Sequence, residues 1–427
     1  PLLPRNKPAG LAAQFHGGSR KLYNALVILL HCMDVIAPQH HWRSRLKGLI
    51  ARHGVSVAAM DFPANWQNLP IWQDTKPGTP SQETGGPMAK KDYSEDLLIQ
   101  APTAELLEQQ LGWESVFAQD EGAKGGWGPD SLLGRASDAE VVLTRDVLAA
   151  LKRLNPGLPD AAYQDALALV VQDDITKSLI AQNEEKYKLL RDGVPVKYRD
   201  AAGRLVDKRL RLIDFDEPKN NRYLAVRELW VRGKLWLRRP DVIGFVNGLP
   251  LVFIELKRFE VHIDSAYKKN YADYLDTIPH LFHWNALVII SNGHDAQYGS
   301  LTSSKEHFYR WKRLDEDDPE PGKDQPLLPF LLQGMLQQQR LLDIVENFIL
   351  FDASEGSTHK IVARNHQYLG VNRVIDRLTS TDPKIQAEVA AGQLGVFWHT
   401  QGSGKSYSMV FLTEKIHRKL SASWSFV

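Results

Sequence analysis

Arg239-Pro240-Asp241-Val242-Ile243-Gly244-Phe245-Val246-Asn247-Gly248-Leu249-Pro250-Leu251-Val252-Phe253-Ile254-Glu255-Leu256-Lys257 decides how this chain is read. Two nearly continuous apolar runs flank Asn247-Gly248, a dipeptide that favours the positive φ angles of a tight hairpin. Such runs predict strands buried on both faces. Asp241, Glu255 and Lys257 are charges set at their margins, where an unpaired charge is costly. With a two-residue loop and a regular ladder, Asp241 would pair with Ile254 and face away from Glu255 and Lys257. A three-residue loop or a bulge is therefore expected, one that brings Asp241 opposite Glu255.

Phosphodiester hydrolysis would give these charges a use. Two carboxylates converging at a sheet edge can hold Mg²⁺ through hard oxygen ligands. The metal polarises the phosphate and lowers the pKa of an attacking water. Lys257 lies on the same strand face as Glu255, two residues away, and can orient that water or stabilise the developing charge. The competing reading is a buried ion pair of Lys257 with Asp241 or Glu255.

Outward from this unit the pattern is α/β. Helices are expected over Pro102–Leu111, from Thr144 as cap to Asn155, and over Asp160–Gln172 and Asn183–Arg191. Strands are expected over Val194–Tyr198, Arg209–Phe215, Tyr223–Val231, Asp241–Val246, Leu251–Leu256 and Ala286–Ser291. Leu341–Leu350 and Lys360–Leu378 read as helices, Gly395–Trp398 as a short buried strand, and Ser406–Leu420 as a helix.

A second chemical motif sits between those last two elements: His399-Thr400-Gln401-Gly402-Ser403-Gly404-Lys405-Ser406. Gly402 and Gly404 let backbone N–H groups curl around phosphate oxygens at a helix N-terminus. Lys405 can reach the β- and γ-phosphates of ATP, and the Ser406 hydroxyl can ligate the nucleotide's Mg²⁺. His399 stands where a generic P-loop has its first glycine.

The chain has 427 residues, 43% hydrophobic and 24% charged, as in a globular protein. The most apolar stretch, Ala25–Leu30, stops at His31 and Asp34, so no membrane span is expected. One cysteine, Cys32, excludes an internal disulfide framework and a multi-cysteine zinc site, and a cytoplasmic location is expected. Residues 1–87 hold nine basic against four acidic residues, while residues 88–427 hold 43 against 47. Overall charge gives no support for nucleic-acid binding, so any such case rests on local sites.

The chain opens on proline and closes on Trp424-Ser425-Phe426-Val427, and both ends read as cut. Residues 74–87, rich in Pro and Gly, read as a linker after a small helical segment, 1–73. Met60-Asp61-Phe62-Pro63-Ala64-Asn65-Trp66-Gln67-Asn68-Leu69-Pro70-Ile71-Trp72 resembles the C-terminal tail of Abi-like (abortive infection) proteins, with Asp61 in place of a glycine. Two neighbouring genes joined together, or a functional fusion, would both give this arrangement.

From residue 88 on, the chain resembles the restriction (R) subunit of type I restriction-modification enzymes. The runs that carry the resemblance are SEDLLIQAPTAELLEQQLGWE (94–114), NNRYLAVRELWVRGKLWLRRPDVIGFVNGLPLVFIELK (220–257), DTIPHLFHWNALVIISNG (276–293), NHQYLGV (365–371) and FWHTQGSGKS (397–406). Pro240-Asp241 with Glu255-Leu256-Lys257 resembles the PD-(D/E)xK nuclease motif. Asn270 and Tyr274 resemble a downstream Q-x-x-x-Y element, with Asn270 replacing Gln. The resemblance implies a restriction-endonuclease-like three-layer α/β/α domain at 88–330, then the truncated start of a RecA-like P-loop lobe at 331–427. It implies Glu105 as a further metal carboxylate, against the alternative of a solvated helix-surface residue. It likewise implies Gln367 as an adenine-reading glutamine, against an ordinary surface one. Mg²⁺ and ATP are the implied cofactors. Double-stranded DNA and the modification and specificity subunits are the implied partners, and the implied activity is ATP-dependent endonucleolytic cleavage coupled to translocation. A stand-alone nuclease with a vestigial P-loop, or a non-enzymatic defence-associated fusion, are the alternatives.

Overall fold

A computed structural model describes residues 99–122, 126–322, 324–354, 356–421, 424 and 426. The expected helical segment 1–73 and linker 74–87 lie outside the described residues. The described residues divide into two compact units. One runs up to Asn372 and includes Gly402–Phe411, and the other combines 373–401 with the residues from 412 onward.

The larger unit is a mixed α/β fold around one six-stranded sheet. Its strands are β1 Glu114–Phe117, β2 Tyr223–Arg227, β3 Val242–Val246, β4 Leu249–Leu256, β5 Leu287–Ser291 and β6 Ala296–Gly299, in that spatial order. β1 runs parallel to β2 and β4 to β5, and the other neighbours are antiparallel. Every residue of β3 and β4 is buried, as their unbroken apolar runs require. Across both units the helices of the described residues, in chain order, are α1 Ala101–Gln109, α2 Thr144–Leu154, α3 Asp160–Val171, α4 Leu179–Asp192, α5 Ala272–Thr277, α6 Leu327–Leu336, α7 Gln338–Asn347, α8 Asn365–Thr379, α9 Pro383–Ala390 and α10 Lys405–Lys419, with α9 in the smaller unit. A π-helical turn, Ala266–Tyr271, leads into α5. No helix among the described residues is long and apolar enough to cross a membrane.

The β3–β4 connection contains both a two-residue turn and a bulge. Val246 pairs with Leu249 around Asn247 (φ 50°) and Gly248 (φ 84°), the signs of a type I′ turn. Asn tolerates the left-handed region because its short amide can bond locally. Asn247 is buried with its amide fully used. Its Oδ1 accepts from the Arg222 N–H and Arg153 Nη2, and its Nδ2 donates to the Leu212 carbonyl and Asn221 Oδ1, all at 2.8–2.9 Å. Farther along, Phe245 pairs with Pro250 but Gly244 pairs with Val252, which leaves Leu251 as the extra residue. Its carbonyl accepts the Ala286 N–H at 2.7 Å, toward β5. Gly244 is small for a reason: a Cβ there would lie 3.0 Å from the Val252 Cβ and 3.1 Å from the Trp113 ring. That indole also stacks near Tyr223 and donates to the Leu336 carbonyl at 3.0 Å, tying the end of α6 to the sheet.

Several expected elements differ. The helix expected from Lys360 begins at Asn365, because His359–Val362 pairs with Ile349–Asp352 as a ribbon. Thr144 starts α2 without capping it; its hydroxyl donates to Glu140. Gly395–Trp398 is neither strand nor buried. It has no partner strand among the described residues, and Val396 and Trp398 are 68% and 63% exposed. The compact unit does not break at residue 330. Residues 331–372 remain packed on the sheet-bearing unit through Trp113–Leu336, Tyr187 with the Val345 carbonyl, and Tyr298 with the Ala363 carbonyl.

Lys360 is another of these ties. Its ammonium is fully buried, donates to Asn183 Oδ1 and the Asn285 carbonyl, and faces the rings of Tyr187 and Phe351. Burial lowers its pKa to about 7. The folded state therefore releases a proton that the unfolded chain keeps up to the ordinary lysine range. As pH rises from about 7 toward that range, this group's contribution to stability should increase. The melting-temperature difference between the wild type and Lys360→Met should widen in favour of the wild type between pH 7 and 9.5. A constant difference would show that Lys360 stays charged in the fold. A second test concerns the turn. In Gly248→Ala the new Cβ would lie 2.6 Å from the Leu143 carbonyl oxygen, whereas at Gly203, also at positive φ, it would meet nothing. Urea unfolding should show Gly248→Ala costing roughly 2 kcal/mol more than Gly203→Ala. Equal costs would mean that the close approach is not felt.

Candidate active site

The bulge at Leu251 brings Val242 opposite Ile254, so Asp241, one residue before β3 begins, lies opposite Glu255. Both carboxylates reach one sheet face, and Lys257 joins them there. Lys257 Nζ donates to Glu255 Oε1 at 2.8 Å and to the Leu256 carbonyl at 2.8 Å, and lies 4.0 Å from Asp241 Oδ2. Glu255 is wholly buried and Asp241 nearly so. Asp241 Oδ2 also accepts the Leu256 N–H at 2.7 Å, so the carboxylate is locked to the strand that carries its partner. Three oxygen atoms, from Glu255, Leu256 and Asp241, thus surround one cationic group at the C-terminal end of β4.

Tyr274 packs against this cluster from α5. Its hydroxyl donates to the Arg239 carbonyl at 3.4 Å, and its ring meets Phe253 edge-on. Burial, reinforced by the negative charges of Glu255 and Asp241, holds its phenol well above the ordinary tyrosine pKa, so it remains a neutral donor. Asn270, in the π-helical turn, hydrogen-bonds the Tyr274 side chain. The pair is therefore a wall of the site reached through Tyr274.

Two neighbours escape a reading of the sequence. Gln100, at the approach to α1, is buried and donates from Nε2 to Asp241 Oδ1 at 2.9 Å. Its signal is faint: a lone amide closing the apolar run Leu97-Leu98-Ile99. Glu228 follows β2 in the left-handed region (φ 57°), where a non-glycine residue is uncommon. Its N–H donates to the Asp241 carbonyl at 3.0 Å, and its carboxylate pairs with Arg239 Nε at 2.7 Å. Nothing in residue type alone announces that conformation. Glu105, by contrast, is exposed on α1 and accepts from Gln109 one turn on. From this segment it is Gln100 that touches Asp241.

In the glycine-rich loop, Thr400 and Gln401 are exposed, Gly402 and Gly404 have φ of 76° and 80°, Ser403 is buried, and Lys405 and Ser406 open α10. Gln367 is buried, not a surface residue. Its Oε1 accepts the Arg364 N–H at 2.7 Å, the backward reach of a capping box, and its Nε2 donates to the Gly404 carbonyl at 2.8 Å. The Tyr407 hydroxyl donates to Asp352 at 2.7 Å, which holds that carboxylate down at about 2.

Comparison with known proteins places the chain among relatives. Residues 92–307 match the family described as the type I restriction enzyme R protein N terminus, and residues 366–427 match the SWI2/SNF2 ATPase family. The chain is 38% identical over 316 residues to the type I restriction enzyme HindI endonuclease subunit of Haemophilus influenzae, covering 72% of this chain and 29% of that protein. It is 26% identical over 309 residues to the putative type I restriction enzyme MjaIXP endonuclease subunit of Methanocaldococcus jannaschii, covering 66% and 28%. A Staphylococcus aureus subunit, SauMSSORF170P, is 26% identical over 262 residues. The chain spans about three tenths of the length of the first two. With half of its length matched by that family's model, the chain belongs to the family of type I restriction enzyme R proteins.

Proposed function

We propose that this chain is the nuclease-bearing part of a type I R subunit, that it cuts double-stranded DNA with Mg²⁺, and that the longer protein couples cutting to ATP-driven translocation. The observation that carries the reading is the convergence of Asp241, Glu255 and the Leu256 carbonyl on the Lys257 ammonium. As a stabilising device alone the cluster is poor: a buried ion pair is often no better than apolar residues of similar volume. As a cation site it is apt, since Mg²⁺ favours one or two carboxylates and completes its shell with water and substrate phosphate. The cluster offers two such carboxylates, Asp241 and Glu255. The arrangement supports a PD-(D/E)xK-type active centre in a restriction-endonuclease-like domain.

When bound, the metal would polarise the scissile phosphate and acidify a water. The chain's residues have separable tasks. Asp241 and Glu255 would hold the ion. Lys257, released from Glu255, would donate to a phosphate oxygen or orient the water. Gln100 and Glu228 would hold Asp241 in place, one through the carboxylate and the other through the backbone. The loop Thr400–Ser406 would take the phosphates of ATP, with Lys405 on the β- and γ-phosphates, Ser406 on the nucleotide's Mg²⁺, and Gln367 setting the loop from α8. This supports a RecA-like lobe for the segment matching the SWI2/SNF2 family. DNA is the substrate, and modification and specificity subunits complete the assembly.

Asp241→Ala, Glu255→Ala and Lys257→Ala, placed in the full-length assembled enzyme, should each abolish plasmid cleavage and leave ATP hydrolysis in place. Lys405→Ala should remove ATP hydrolysis while Mn²⁺ binding to the carboxylates, measured by calorimetry, persists. Loss of both activities in folded Glu255→Ala would instead mark the cluster as structural. Gln100→Leu should weaken Mn²⁺ binding or cleavage roughly ten- to a hundredfold, the usual effect of removing a group that orients a ligand. Wild-type values in that variant would leave Gln100 with packing alone.

A further inference from the structure

Residues 229–240, Leu-Trp-Val-Arg-Gly-Lys-Leu-Trp-Leu-Arg-Arg-Pro, hold four cations and no acid. Val231–Arg232 pairs with Leu237–Arg238 as a short ribbon, closed by a bond from the Gly233 N–H to the Trp236 carbonyl at 2.8 Å. At its tip Leu235 is 86% exposed and Trp236 54% exposed, beside the exposed Lys234. Large apolar groups presented together to water mark a contact surface.

The base of the ribbon is firmly held. Arg238 grips the Asp273 carboxylate through two nitrogens, and Arg232 does the same to Asp138, whose backbone carbonyl also accepts the Arg232 N–H. Gly233 sits so close to the Thr277 carbonyl that a Cβ would lie 2.0 Å from the oxygen. Asp273 and Thr277 belong to α5, the helix that brings Tyr274 to the acid cluster. The Trp236 indole is itself oriented, with the Arg238 guanidinium 5.0 Å from its ring centre. Leu235 precedes Asp241 by six residues, so the two lie at most about 20 Å apart. One turn of duplex DNA spans about 34 Å. A duplex with a phosphodiester at Asp241 is long enough to span that distance.

We propose that the 231–238 hairpin is a duplex-DNA contact that grips the substrate beside the scissile phosphodiester, with Lys234 on a phosphate and Leu235-Trp236 packed into the groove. It rests on the reading of Asp241, Glu255 and Lys257 as the cleavage site. The chemistry favours DNA over a protein partner. Lysine is depleted at protein interfaces, whereas phosphates draw it. An exposed lysine beside an apolar wedge suits a polyanion whose groove accepts such side chains.

The test is binding of a 20-base-pair fluorescein-labelled duplex to the full chain, read by anisotropy with Ca²⁺ replacing Mg²⁺, across a salt series. Trp236→Ala should weaken binding roughly tenfold, and Trp236→Phe should recover most of the loss. Lys234→Ala should reduce the slope of log affinity against log salt by about 0.9, one phosphate contact. Both positions are exposed, and unchanged melting temperatures should accompany these losses. Wild-type affinity and slope in both alanine variants would overturn the hairpin's role, as would loss of modification- or specificity-subunit binding with DNA affinity intact. Failure of the cleavage-site reading shows separately, as Mn²⁺ binding that survives Asp241→Ala and Glu255→Ala.

Discussion

Leu251 has no opposite number in the β3–β4 ladder, and the disposition of the acids depends on that omission. Side chains alternate faces along a strand, so a register shift of one residue exchanges the two faces. A type I′ turn at Asn247-Gly248 with an unbroken ladder would set Asp241 against Ile254. The bulge restores the parity and seats Asp241 against Glu255. Each neighbouring feature serves that geometry: Gly244 leaves room for Trp113, Asn247 fastens the turn with four hydrogen bonds, and the freed Leu251 carbonyl takes the N–H of Ala286 at the start of β5.

Around the acids the structure is built in rings. Asp241 is fixed at both carboxylate oxygens, by Gln100 and by the Leu256 N–H, and at its backbone carbonyl by Glu228. Glu228 adopts a left-handed backbone to do so and is held by Arg239, whose guanidinium rests 5.1 Å from the Trp230 ring centre. Strain of this kind persists only where surrounding contacts over-determine it. The segment from Glu228 to Asp241 thus forms a continuous path from the exposed hairpin tip to the buried carboxylate, with α5 bracing both.

The sequence reveals the centre of this arrangement more readily than its edges. β3 and β4 are legible because fully buried strands need unbroken apolar runs, and charges stranded at their ends demand an explanation. β1 and β6 are not, since four-residue edge strands carry little pattern. The His359–Val362 ribbon is masked by apolar spacing that also suits the helix after it. Gln100 and Glu228 act through tertiary placement and backbone conformation, neither of which residue type encodes. Glu105 misleads for the complementary reason: on an early helix its type suits a ligand, but its position on the helix is the solvent-exposed one, between buried Ala104 and Leu107. Gln367 lies between these cases. Its position ahead of the glycine-rich loop is legible, while its hold on the Gly404 carbonyl requires the fold.

The chain-order arrangement of the six strands also bears on how the sheet assembles. β3 and β4 are joined across two residues, whereas β1 must find β2 across about 105 residues of intervening chain. Closing a longer loop costs more conformational entropy, by a few kcal/mol over that range of lengths. Local pairing is thus favoured early, on the microsecond scale of hairpins, and the parallel edge is added late. The two carboxylates would then be brought face to face before Gln100, which arrives with α1 next to β1, is available to steady Asp241. During that interval Lys257, carried on the same strand as Glu255, is the cation placed to offset their repulsion.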